Sequence, residues 1–137
     1  MVIYKGDPNE THFLNVDLDI YSRSDLQPLV SAFGEKVDVL FLGREKRSYS
    51  AHLELAKVTK DADPAIRGFC ALIQALPPAE RELWNQAKVR EFNIGVQAGV
   101  KPPAYELTLP AETVKAASDV GARIGVTIYG LEMLGPR

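Results

Sequence analysis

The chain is 137 residues long, a length that suits one domain with its own core, residues 1–137. Sixteen basic against eighteen acidic side chains leave a net charge of -2, which excludes the strong positive field of a nucleic-acid or anionic-membrane binder. Cys70 is the only cysteine, and no stretch approaches the ~20 apolar residues of a membrane helix, so internal disulfides, cysteine-based zinc sites and membrane helices are excluded and a cytoplasmic protein is expected.

FLNVDLDIY alternates strictly, with Leu14, Val16, Leu18 and Ile20 on one side and Asn15, Asp17, Asp19 and Tyr21 on the other, which predicts a half-buried strand. In SRSDLQPLVSAFG, Ser24 and Gln27 have capping-box spacing, Leu26, Leu29, Val30 and Phe33 recur at helical intervals, and Gly34 is the stop. VDVLFLG predicts a second strand with Val37, Val39 and Phe41 inward and Leu40 and Leu42 outward. The charged turn GREKRS leads into a third, YSAHLELA, with Tyr49, Ala51, Leu53 and Leu55 inward. Asp63 and Pro64 read as the N-cap and first residue of a helix striped by Ile66, Phe69, Ile73 and Leu76. LPPAE ends that helix and opens another through Trp84. REFNIGVQA and AYELTL predict strands four and five, a helix runs from Pro110 to a stop at Gly121, and RIGVTIY predicts the last strand. The order βαββααββαβ gives an α+β fold of ferredoxin-like character, a six-stranded mixed sheet with helices on one face.

Two segments rhyme. Ser31 and Ser118, Gly34 and Gly121, Val39 and Val126, and Gly43 and Gly130 are each 87 residues apart. Residues 18–43 and 105–130 therefore read as a duplicated strand-helix-strand unit. The same rhyme arises if two crossovers each need a glycine stop followed by apolar alternation.

By the alternation, Asp17, Asp19, Tyr21, Leu40, Leu42, His52, Glu54 and Tyr129 face away from the core and form the candidate binding set. His52 and Glu54 share a strand face and, with Asp17 or Asp19, carry the residue types of a divalent-cation site, which are equally those of a solvated strand. No metal ligand, catalytic residue or cofactor is assigned. Cys70 falls on a buried stripe, and Trp84 closes the helices onto the core. Gly95 and Gly125, inside strands, mark a bulge or a close approach. Phosphate loops, nucleophile elbows and zinc helices are absent from the sequence.

FCALIQALPPAERELWNQA, a strand, and then LTLPAETVKAASDVGARIGVTIYG resemble the C-terminal half of the bacterial family catalogued as domain of unknown function 4279, over roughly residues 65–130. In that family a helix ends in leucine and proline, and a last helix, a glycine stop and an alternating strand ending in tyrosine close the chain, here Gly121 and Tyr129. The first half departs: Val37 to Gly43 has neither the proline-threonine turn nor the tryptophan that the resemblance implies. It implies a fold and no activity.

The resulting expectation is a non-enzymatic domain that binds a protein partner, or a second copy as a homodimer, through the open sheet face, an immunity-like role being one version. Nucleic-acid and membrane partners are not expected. The alternative is a small-molecule or metal-dependent enzyme using His52 and nearby carboxylates, and a third reading docks the tail LEMLGPR on a neighbouring subunit.

Overall fold

Strand β1 (His12–Ser22) lies at the centre of a five-stranded sheet in the order β2-β3-β1-β4-β5, where β2 is Val37–Glu45, β3 Ser48–Leu55, β4 Val89–Gln97 and β5 Arg123–Tyr129. The computed structural model describes residues 6–131, so most of the tail considered for docking, residues 132–137, lies outside the described residues. Both neighbours of β1 run antiparallel to it, β2 is antiparallel to β3, and β5 is parallel to β4.

Among the described residues four α-helices complete the fold, α1 (Gln27–Phe33), α2 (Ala62–Gln74), α3 (Pro78–Gln86) and α4 (Ala111–Asp119), with a 3-10 turn at Gly34–Lys36 after α1. Val16, Leu18 and Ile20 of β1, Ala51 and Leu53 of β3, and Phe92, Ile94 and Val96 of β4 are buried on one side of the sheet. They meet Leu29 and Phe33 of α1, Ile66, Phe69 and Ile73 of α2, Trp84 of α3 and Ala117 of α4 in one core. Phe69 stacks on Phe92 with ring centroids 5.8 Å apart. The Trp84 indole donates to the Val120 carbonyl at 2.7 Å, joining α3 to the end of α4 as its predicted closing role requires.

The sheet has five strands where the sequence predicts six. Residues 104–109 form no strand and pair with none among the described residues, because β5 already occupies the outer edge of β4 and Pro102 and Pro103 just before them remove two donors. Their alternation is real, since Leu107 and Leu109 pack on the core while Glu106 and Thr108 are exposed, yet it belongs to a strap between β4 and α4. The duplicated unit fails for the same reason. Residues 105–130 contain no first strand, whereas in 18–43 the two strands are separated in the sheet by β3. What rhymes is a helix end with a glycine at positive φ, 61° at Gly34 and 76° at Gly121, leading into the two edge strands β2 and β5.

Two bulges reset the predicted alternation. An extra residue at Leu14 puts Phe13, not Leu14, against the core, and an extra residue at Leu40 puts Phe41 opposite His52 and Leu42 opposite the buried Ala51. Phe41 therefore leaves the inward set and Leu42 joins it, the reverse of the sequence reading. The Ser24–Gln27 box does not form: α1 starts after Leu26, and the Asp25 carboxylate accepts the Gln27 N–H at 2.9 Å. Helix α2 begins one residue past Asp61, so Asp63 lies in its first turn, held by the Thr113 hydroxyl and Arg67, rather than at the N-cap.

Trp84→Phe removes the indole donor and leaves the buried Val120 carbonyl unsatisfied. The expected loss is about 2 kcal/mol, read as a lower urea midpoint with an unchanged slope.

Candidate functional site

The side of the sheet away from the helices carries two adjoining features, an aromatic cluster and a carboxylate band. In the cluster His52 is central. Its Nδ1 lies 2.7 Å from Asp19 Oδ1 across the β1–β3 pair, so Asp19 accepts from the ring and fixes its orientation. The Tyr21 ring meets His52 edge-on, with centroids 5.5 Å apart at 74°. Phe41 approaches from the other side at 6.0 Å, a contact that exists because the bulge at Leu40 shifts β2 by one residue. Gly43 forms the floor beneath Phe41, where a Cβ would stand 3.1 Å from the ring. Ser50, paired with both Tyr21 and Gly43, is buried there.

The carboxylate band runs along β1 and onto β3 and β4. One amide bridges two carboxylates: Asn15 Nδ2 donates to Asp17 Oδ1 at 2.8 Å and to Glu54 Oε2 at 3.1 Å. Burial, with the charges of Asp19 and Glu54 adding, pushes the Asp17 carboxyl up to about 6, against a smaller opposing pull from His52. Across β4, Arg123 Nε donates to Glu91 Oε1 at 2.8 Å, Asn93 donates to Glu91 Oε2 at 3.3 Å, and Thr127 donates to Asn93 at 3.0 Å. Burial and the neighbouring carboxylates of Asp19, Glu45 and Glu91 likewise raise the Tyr21 phenol, so it stays neutral at pH 7.

Gly95 and Gly125 answer to these side chains. A Cβ at Gly95 would stand 2.8 Å from Asn15 Oδ1, and one at Gly125 2.9 Å from the Glu91 carboxylate. The glycines let an amide and a carboxylate lie flat on the sheet, which is the close approach the sequence implied, made by side chains.

Of the residues singled out from the sequence, Asp19, Tyr21 and His52 come together in one cluster, and Asp17 and Glu54 are joined to each other through Asn15. Leu40 is exposed at the bulge on the sheet edge. Leu42 is on the helix-covered side, so it leaves the set. Tyr129 belongs to neither feature: it pairs with Gln97 at the far end of β4, whereas Tyr21 pairs with Val89 at the near end, roughly 25 Å away along the strand. Phe41 and Glu91 were missed, and Asn15, read as outward with Asp17, was not singled out. The first needed the bulge, which VDVLFLG does not advertise, and the other two needed the strand order.

Among the described residues no group of three or more His, Cys, Asp or Glu side chains is arranged to hold a metal ion, since His52 is turned onto Asp19 and Glu54 onto Asn15. Burial, with Asp119 adding, pushes the Cys70 thiol up to about 11, which leaves it a protonated core side chain. None of the helices among the described residues is long and apolar enough to cross a membrane. Comparison with protein-family models, with curated proteins and with solved structures yields no match to this chain.

Asp17 makes stability depend on pH. Its folded pKa of about 6 exceeds the ordinary ~3.9, so the folded state favours the protonated acid, and that contribution is fully present below about pH 4 and lost as pH rises through 6. Asp17→Asn is expected to raise the free energy of unfolding in urea at about pH 8, by about 1 kcal/mol after allowing for solvent screening, and to leave it unchanged at about pH 4.

Proposed function

We propose that this protein is a non-enzymatic cytoplasmic binding domain that engages a protein partner through its open sheet face, at the cluster formed by Tyr21, Phe41, His52 and Asp19. The observation that carries the reading is the juxtaposition of exposed aromatic rings with carboxylates on a sheet face that no helix among the described residues covers. Flat aromatic surfaces beside acidic groups suit arginine and lysine side chains, whose stems lie on the rings while their charged heads reach the carboxylates.

Charge favours a basic partner over a second copy at this face. Asp17, Asp19, Asp38, Glu54 and Glu91 share it, and stacking two such faces would oppose like charges with, among the described strand residues, only Arg123 on β5 to offset them. A toxin-neutralising role is one biological form such a domain takes, and the resemblance over residues 65–130 adds a fold and no chemistry to it.

Selection of a displayed random peptide library against the immobilised protein tests the reading. Enriched peptides are expected to pair Arg or Lys with apolar residues, to lose binding at least tenfold on Phe41→Ser, and to weaken as salt rises. Enrichment that is absent, or indifferent to Phe41→Ser and to Asp19→Asn in variants of unchanged melting temperature, contradicts it.

A further inference from the structure

The outer edge of β5 is the least protected part of the sheet. Among the described residues nothing pairs with it. The Tyr129 carbonyl accepts from Ala98 N–H at 2.8 Å, which sets the phase of the parallel ladder: residues 123, 125, 127 and 129 direct their backbone groups to β4, and Ile124, Val126 and Ile128 direct theirs outward. Three amides and three carbonyls therefore face solvent in one row. The side chains of those same residues lie on the helix side of the sheet, yet α4 covers only Ile124, leaving Val126 57% and Ile128 65% exposed. Tyr129, also exposed, stands on the opposite face of the same strand, beside the open side of the sheet.

The opposite edge is built differently. Strand β2 is broken by the bulge at Leu40 and carries Asp38, Arg44 and Glu45, devices that discourage further pairing. RIGVTIY has no proline, no lysine, no bulge and a single charge at its first position.

The geometry points to a homodimer in which β5 pairs antiparallel with β5 of a second copy about a two-fold axis at Val126. The occupant follows from self-complementarity. Centring the axis on Val126 makes all three outward-facing residues hydrogen-bonded pairs, Val126 with its own counterpart and Ile124 with the partner's Ile128 and the reverse, so every free edge group finds a partner. On the helix side the exposed Val126 covers its own counterpart and the exposed Ile128 covers the partner's Ile124. On the open side Arg123 falls opposite the partner's Tyr129, a guanidinium beside an exposed ring. Each of the three pairs exchanges two backbone hydrogen bonds, so six form along the seam, and the exposed Val126 and Ile128 of both copies are covered with them. The product is one continuous ten-stranded sheet with helices on one side and both aromatic–acid clusters left open.

Light scattering on the full chain over roughly a hundredfold concentration range tests this. The wild-type mass is expected at twice the chain mass, and Val126→Lys, at a position exposed in the single chain, is expected at the monomer mass with an unchanged fold. Register is read separately. Under oxidation Val126→Cys should give a covalent dimer, because the two-fold axis sets that residue against itself, whereas two Ile128→Cys residues would stand about 13 Å apart and should not cross-link. Cys70, buried, does not compete. A wild-type chain that stays monomeric, a dimer that Val126→Lys leaves intact, or cross-linking at 128 rather than 126 overturns the proposal. Phe41→Ser is expected to leave the mass unchanged, so failure here is distinguishable from failure of the open-face reading.

Discussion

Strand β1 is hydrogen-bonded along both edges, and that central place turns the two-residue alternation of its sequence into a division of the whole molecule. Val16, Leu18 and Ile20 must point to one side and Asp17, Asp19 and Tyr21 to the other, since a slip of one residue would bury three polar groups and expose three apolar ones. Helix α2 packs on the apolar side of β1 and brings α4 with it, while α1 and α3 close the core further along. Among the described residues the polar side is left without a helix over it, and what lies there is set by the partners of β1: His52 and Glu54 from β3, Glu91 and Asn93 from β4.

That uncovered side is ordered by its own side chains. Asn15 ties Asp17 to Glu54, Asp19 holds His52, and Glu91 collects Asn93 and Arg123. Two small residues keep these groups close to the sheet, Gly95 beneath Asn15 and Gly125 beneath Glu91. The cost appears at Asp17, whose carboxyl is raised by burial and by its acidic neighbours. A surface that holds like charges together against their repulsion is suited to receiving a cation, and the neighbouring rings of Tyr21 and Phe41 supply an apolar wall for its stem. The proposed recognition by the face and the proposed association by the β5 edge are geometrically independent, because pairing at β5 would leave the β1–β3 cluster uncovered.

Much of the fold was legible in the sequence wherever alternation ran unbroken. The inward sets of β3 and β4, the stripe of α2, and the glycine stops after α1 and α4 all follow from period and stop signals. Alternation misled where it was not caused by pairing: residues 104–109 alternate because a strap lies on the core, and no ladder is involved. It also failed at Leu14 and Leu40, where one inserted residue inverts the phase of what precedes or follows it. The site was legible in part for the same reason. Asp19, Tyr21 and His52 follow from uninterrupted stretches of β1 and β3, whereas Phe41 lies just past a bulge, and Glu91 joins the face only through the order of strands, a long-range property that local pattern does not carry. Tyr129 has the right phase and the wrong place, far along β4 from Tyr21.

The placement of Phe41 is the point on which the open-face account turns, because the bulge at Leu40 alone moves it from the core side to the side of His52. Nuclear Overhauser contacts from the Phe41 ring in the free protein measure that placement directly. The account predicts cross-peaks from Phe41 to the His52 ring, with Tyr21 contacting His52 from the other side and Leu42 contacting the core. Cross-peaks from Phe41 to Leu53 and the helices, with Leu42 beside His52 instead, would contradict it.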